Sequence, residues 1–156
     1  MKKRELVFRY FMDTEIIAVD RRRKLKDMNL QEIYDVLAFC DILILDRNKL
    51  NNTIYIKDTI VSFCYNFLKG LKEIEIDNNY KGLMMNLDDH YSFRYYFEND
   101  FLLVVDDDKV YKYDFKPFYQ SLKKFWKKVS LDLVFFYPEL KENRHFQAIQ
   151  KELTGI

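Results

Sequence analysis

The chain predicts an α+β fold, with an antiparallel β-sheet packed against amphipathic helices. Two periodicities carry that expectation. Between about residues 82 and 115 aromatic and apolar side chains recur every second position, as on a half-buried strand. Over about 58–72, 117–134 and 143–153 they recur at three and four, as on one face of a helix. The 156 residues are 49% hydrophobic and include only three glycines and two prolines. That is enough apolar material for a core without disulfides or a structural metal, and it leaves little for linkers. A single domain over 1–156 is expected.

Taken in order, Leu6 to Met12 and Glu15 to Val19 read as two strands about a turn at Asp13-Thr14, with Val7 and Ile17 supplying β-branched residues. The run "DRRRKLKD" reads as a loop. Asn29 with Glu32 three positions later forms a capping-box pattern, and Leu30, Ile33, Tyr34, Leu37 and Ala38 follow at helical spacing, predicting a helix over about 30–40. "DILILD" at 41–46 is apolar on both sides; it fits a buried strand or a continuation of that helix. "TIYI" is a short strand or extended lead-in.

The clearest helix carries Ile60, Phe63, Cys64, Phe67, Leu68 and Leu71 on one stripe, with Asp58 or Thr59 available to cap it. From Gly82 the period becomes two. Tyr91, Phe93, Tyr95 and Phe97 share one side of a strand opposite Ser92, Arg94 and Tyr96, and Tyr111, Tyr113 and Phe115 repeat the pattern. "FLLVV" between them is apolar on both faces and belongs at the centre of a meander, with acids at the connections. Pro117 suits the first turn of a helix whose stripe runs Phe118, Leu122, Phe125, Trp126, Val129 and Leu133, with Lys123, Lys124, Lys127 and Lys128 on its wet side. Pro138 stops it. A last helix, roughly Asn143 to Leu153, presents Phe146, Ile149 and Leu153 ahead of Gly155.

A net charge of +1 conceals a segregation. Residues 73–114 carry 11 acidic and 4 basic side chains, whereas residues 1–27 carry 9 basic and 5 acidic, and 115–156 carry 8 and 4. An acidic middle between basic ends gives a strong local field and suits one specific partner better than general adhesion to nucleic acid. The acids fall at predicted connections: Asp88 and Asp89, Glu98 and Asp100, and Asp106, Asp107 and Asp108. No EF-hand pattern is present, and turn aspartates already hydrogen-bond the backbone, so no metal or other cofactor is expected. His90 follows Asp89, but neighbours on a strand point to opposite faces, and adjacency makes no acid-base dyad. His145 is expected on a helix surface.

Cys40 and Cys64 form no CxxC pair and read as small buried hydrophobes. There is no GxSxG elbow, and Gly70, Gly82 and Gly155 are isolated, so neither nucleophilic catalysis nor phosphate cradling is predicted; the chain is read as non-enzymatic. "MKKRELVFRYFMD" has a basic start, but Glu5 and Arg9 interrupt its apolar run, and no stretch approaches the ~20 apolar residues of a membrane span, so a cytoplasmic protein is expected. Arg21, Arg22, Arg23, Lys24 and Lys26 form the strongest candidate nucleic-acid contact, with the lysines of "SLKKFWKK" beside them. A solvated loop balancing the acidic segment is the favoured reading because no recognisable nucleic-acid module accompanies it.

The succession from 58 to 153 of helix, meander and long helix, with "YKYDFKPFYQSLKKFWKKV" and the following "YPELKEN", resembles small α+β immunity proteins encoded beside bacterial polymorphic toxins. The resemblance is architectural. It implies a cytoplasmic protein that neutralises one cognate toxin by binding it, with no catalytic residues to carry over. In that role the acidic connections would face a basic toxin surface, or, against a toxin that is not basic, exposed tyrosines such as Tyr96 would anchor instead. A phage-encoded inhibitor of host defence would look much the same, and a nucleic-acid-binding regulator would use the 21–26 run.

Overall fold

The computed structural model describes residues 6–47, 49, 51–85 and 92–156. Its architecture is α+β, with two antiparallel sheets. Sheet A has the order β1-β2-β3, from Leu6–Phe11, Phe39–Asp46 and Ile54–Thr59. Sheet B has the order β4-β5-β6-β7, from Lys81–Met85, Ser92–Glu98, Phe101–Asp106 and Lys109–Asp114. Two long helices, α3 (Ile60–Ile76) and α4 (Phe115–Phe136), join them. Phe118 of α4 shows how: its ring meets Phe8 of sheet A edge-on at 5.3 Å and Tyr113 of sheet B at 5.0 Å. Phe67 of α3 extends the cluster to Phe93, Tyr95 and Phe118 at 5.5, 4.9 and 5.4 Å. Edge-on and tilted rings add to the burial of such large apolar groups.

The meander in sheet B follows the predicted alternation. Phe93, Tyr95, Leu102, Val104, Tyr111 and Tyr113 are buried on its inner face. Tyr91 lies outside the described residues. Phe115, expected in the last strand, is instead the first residue of α4, and Pro117 stands in the first turn of that helix. Two glycines are required by one ring. Tyr95 lies across the sheet from Gly82, and a Cβ there would come within 1.9 Å of its Cζ. On α3, a Cβ at Gly70 would come within 1.6 Å of the same tyrosine's hydroxyl oxygen. Both glycines therefore let helix and strand close on an aromatic ring that is only 2% exposed.

The N-terminal third departs from expectation. Glu15 to Val19 is helix, not strand: α1 spans Thr14–Arg21, capped by Asp13, whose side chain accepts from the Glu15 amide at 2.9 Å. β-branched Ile16 and Ile17 favour strand only weakly, and the cap together with burial of Asp20 at the helix end outweighs them. The predicted capping box is present, since Asn29 accepts from the Glu32 amide and Glu32 from the Asn29 amide. The helix it starts, α2, covers only Leu30–Asp35 and not 30–40. Ala38, at φ 56°, turns the chain out of the helix, and Phe39–Asp46 becomes the central strand of sheet A, which decides the 41–46 segment as strand. Ile42 and Ile44 face inward while Leu43 and Leu45 are half-buried on the other side.

A left-handed alanine is strained. Its amide donates to Asp20 Oδ2 at 3.0 Å, and its carbonyl accepts from the Ile60 amide at 3.2 Å. The Tyr137 hydroxyl donates to the same Asp20 oxygen at 2.7 Å, and burial plus that carboxylate push the phenol well above its ordinary range. Asn143, fully buried, accepts from the His145 and Phe146 amides to cap α5 (Arg144–Thr154), and donates to the carbonyls of Leu25 and Met28 at 2.8 and 2.9 Å. The C-terminal segment thus clasps the connection between β1 and β2. At α3 the predicted caps do not form: Asp58 accepts only from the adjacent Thr59 amide, and the Thr59 hydroxyl donates to the Tyr34 carbonyl.

Candidate functional site

The acidic residues do not form one rim. Glu98 and Asp100 flank the β5–β6 turn, whereas Asp106, Asp107 and Asp108 make the β6–β7 turn at the other end of β6, about 17 Å away at ~3.3 Å per residue. Asp88 and Asp89, with His90, lie outside the described residues. Backbone demand explains the composition of the turns: Asn99, Asp100 and Asp107 have φ of 49°, 69° and 49°, a region that asparagine and aspartate occupy more readily than other side-chain-bearing residues. Among the described residues, no group of three or more His, Cys, Asp and Glu is placed to hold a metal ion.

Between those two acidic ends, the outer face of sheet B is apolar and basic. The strand register sets Leu83, Arg94, Val105 and Val110 in one row across the four strands, and Lys81, Tyr96, Leu103 and Lys112 in the next. Tyr96 is half-buried in the second row, and Leu83, Met85 and Val110 are each more than half exposed. The Lys112 ammonium sits 3.8 Å above the Phe101 ring, a cation–π contact that fixes it on this face. Sequence reasoning set Arg94 and Tyr96 on the same side of their strand; only the strand register brings Lys81 and Lys112 onto that face beside them.

At the Asp100 end a cleft of about 660 Å³ opens between the end of α3, the β5–β6 turn and the start of α4. Glu75, Asp100, Asp114 and Lys116 are among the residues that line it. Its apolar wall is Phe97 against Phe115, edge-on at 5.4 Å, with Tyr119 5.8 Å from Phe115. Tyr119 is 2% exposed and its hydroxyl has no hydrogen-bond partner among the described residues. Burial, aided by Glu75, pushes that phenol up to about 12. Asp114 stands at the N-cap of α4 without accepting a capping bond, and the Phe115 amide donates to the Asp100 carbonyl at 3.3 Å. Of these residues only Asp100 was singled out from sequence; Glu75, Asp114 and Tyr119 carried no signal because the cleft exists only once α3 and the two hairpins have docked.

The basic run is partly absorbed by the fold. Arg21 ends α1 and its Nε donates to the Phe136 carbonyl at 2.9 Å, and Arg23 lies 4.0 Å from the buried Asp20 carboxylate. All five basic residues are exposed, while Leu25 among them is buried. The run is thus a helix end at Arg21 and a 3-10 turn over Leu25–Asp27 joined by a loop over 22–24, so the loop expectation holds for its middle. Cys40 and Cys64 are buried free thiols, pushed far up by burial and so poor nucleophiles. His145 is half-buried near the start of α5 rather than on its open surface. Asp58 is 2% exposed, and burial raises its carboxyl to about 6 despite the Thr59 amide. Among the described residues no helix is long and apolar enough to cross a membrane. Comparison with protein families, with characterised proteins and with solved structures gave no match to this chain.

Proposed function

We propose that the protein acts by binding, without catalysis of its own: a cytoplasmic immunity protein that neutralises a cognate bacterial toxin. The observation that carries this reading is the layout of sheet B, where acidic residues stand at both ends of a four-stranded scaffold and a face of apolar residues, Tyr96 and the basic Lys81, Arg94 and Lys112 lies between them. Large apolar and aromatic groups flanked by charge are what protein interfaces use for anchoring and for steering. The buried, protonated thiols and the dispersed carboxylates favour binding over nucleophilic or acid-base chemistry.

Co-expression with the product of the adjacent gene, scored by growth, tests the role directly: rescue is expected, and continued toxicity with both proteins present would refute it. The surface is tested by replacing Asp106, Asp107 and Asp108 with asparagine. Weaker toxin binding with a flatter salt dependence is expected, and unchanged affinity and salt dependence would remove that turn from the interface. Engagement of Arg21 and Arg23 within the fold makes the 21–26 run a weaker nucleic-acid contact; filter binding across salt concentrations should show no steep slope.

A further inference from the structure

We infer that the outer face of sheet A is the contact surface for a second copy of this chain, in a weak two-fold dimer. The surface is separate from sheet B and from the binding role proposed for it. Strand register sets Val7 beside Leu45, Arg9 beside Leu43 and Tyr55, and Phe11 beside Asp41 and Lys57 on this face. The opposite face, with Phe8, Ile42, Ile44, Ile54 and Ile56, is the one buried in the core. An antiparallel sheet with one wet face alternates apolar and polar residues, but β2 is apolar on both sides over Ile42–Leu45, a pattern that asks for cover on both. On the outer side Phe11 is 56% and Tyr55 49% exposed, and Leu43 and Leu45 are only half-buried although they lie on the central strand.

The pattern on this face is complementary to itself. In one row the cation, Arg9, stands on β1 and the aromatic, Tyr55, on β3; in the next the aromatic, Phe11, stands on β1 and the cation, Lys57, on β3. A two-fold axis along β2 exchanges β1 of one copy with β3 of the other. It brings Arg9 to the second Tyr55 and Phe11 to the second Lys57, each twice, and lays Leu43 and Leu45 against their equivalents. Arg9 has no carboxylate within ion-pair distance among the described residues, so its charge is available for that contact. Asp41 lies nearest the axis and meets its own equivalent; the Tyr55 hydroxyl and Lys57, 3.9 Å away, offset its charge within each copy, and the remaining repulsion limits the affinity. The outer face of sheet B lacks this match, because the same operation there sets Lys81 against Lys112. Three strands about 4.8 Å apart give sheet A a footprint of about 15 by 20 Å, which with side-chain relief buries about 1,000 Å² over two copies, the low end for a specific interface.

The test is sedimentation equilibrium of the full-length protein over about 5–500 µM, where a monomer–dimer equilibrium with a dissociation constant of about 100 µM is expected. Phe11→Ser, at a position more than half exposed, should weaken the dimer at least about tenfold and leave the fold intact by circular dichroism. Asp41→Asn should tighten it at least about threefold, since it removes the repulsion at the axis. Arg9→Glu and Tyr55→Lys should each weaken it, and an equimolar mixture of those two variants should associate at least about tenfold more tightly than either alone, because the altered positions then carry opposite charges across the contact. A protein monomeric up to about 500 µM would overturn the inference. So would a dimer that Phe11→Ser leaves unchanged, which would lie at a strand edge or on sheet B, or a mixture no tighter than its components. Toxin binding abolished by Phe11→Ser in a protein that stays monomeric would give the face to the toxin and overturn the inference while upholding the immunity reading. A protein that dimerises as described and rescues no toxin would do the reverse.

Discussion

Sheet B joins β4 to β7 in chain order, each strand beside the one before it, whereas in sheet A β1 and β2 pair across residues 12–38. The first is written by neighbours: alternating side chains set each face, and Asn99, Asp100 and Asp107 supply the backbone angles that turn the chain back. The second is held by distant polar groups. Asp20, Ala38, Tyr137 and Asn143 fix the connection between β1 and β2, with partners up to 118 residues away. Local pattern suffices where contacts are local; a sheet assembled across a long excursion needs anchors elsewhere in the chain.

That comparison can be broken most forcefully at the Tyr95 ring. Gly82→Ala should cost about 3 kcal/mol or more in urea denaturation, because three ring carbons lie within 2.4 Å of the added methyl and the ring is locked. Gly70→Ala collides chiefly with the hydroxyl, so Tyr95→Phe should restore much of its stability and little of the Gly82→Ala loss. Equal rescue of both would contradict the packing described. On the sheet A side, Asn143→Ala removes a helix cap and leaves the Leu25 and Met28 carbonyls without their donor, which should cost about 2–3 kcal/mol in thermal or urea melts.

Asp58, at the end of β3, sharpens the comparison through pH. Its folded-state value, about 6, lies above the ~4 of an unfolded aspartate, so the folded protein holds the proton more tightly. The stability linked to that proton is fully present below about pH 4 and is lost as pH rises through about 6, an effect of about 3 kcal/mol. Asp58→Asn should flatten the stability profile between pH 4 and 7 and stabilise the protein at neutral pH; a profile unchanged by the substitution would remove this carboxyl from the balance. The smallest effect belongs to Glu152→Gln. The Lys69 ammonium lies 2.7 Å away and lowers the Glu152 carboxyl, but both groups are about 40% exposed and solvent screens them, so a change under about 0.5 kcal/mol is expected.

The differences in legibility have the same origin. The stripe from Ile60 to Leu71, the meander and the two C-terminal helices were readable because each repeats a period over many residues. Glu15 to Val19 was not, since five residues fit either period and the outcome lay with the Asp13 cap and the burial of Asp20. The early end of α2 was equally hidden, because a left-handed alanine has no sequence signature and is held by the Asp20 carboxylate and the Ile60 amide. The isolated glycines offered no phosphate loop to the eye; their role became visible only with the Tyr95 ring between them.

The amino-acid sequence by itself determined the α+β class, the faces of the long helices and the acids at the hairpin turns, all of which depend on residues a few positions apart. Tertiary structure alone decided that those acids divide between two ends of a sheet, that Lys81, Arg94 and Lys112 share its outer face, and that Glu75, Asp114 and Tyr119 border one cleft. Each of these needs strands in register or a helix docked on a sheet, and the contact energies that select such arrangements act between residues that the chain keeps far apart.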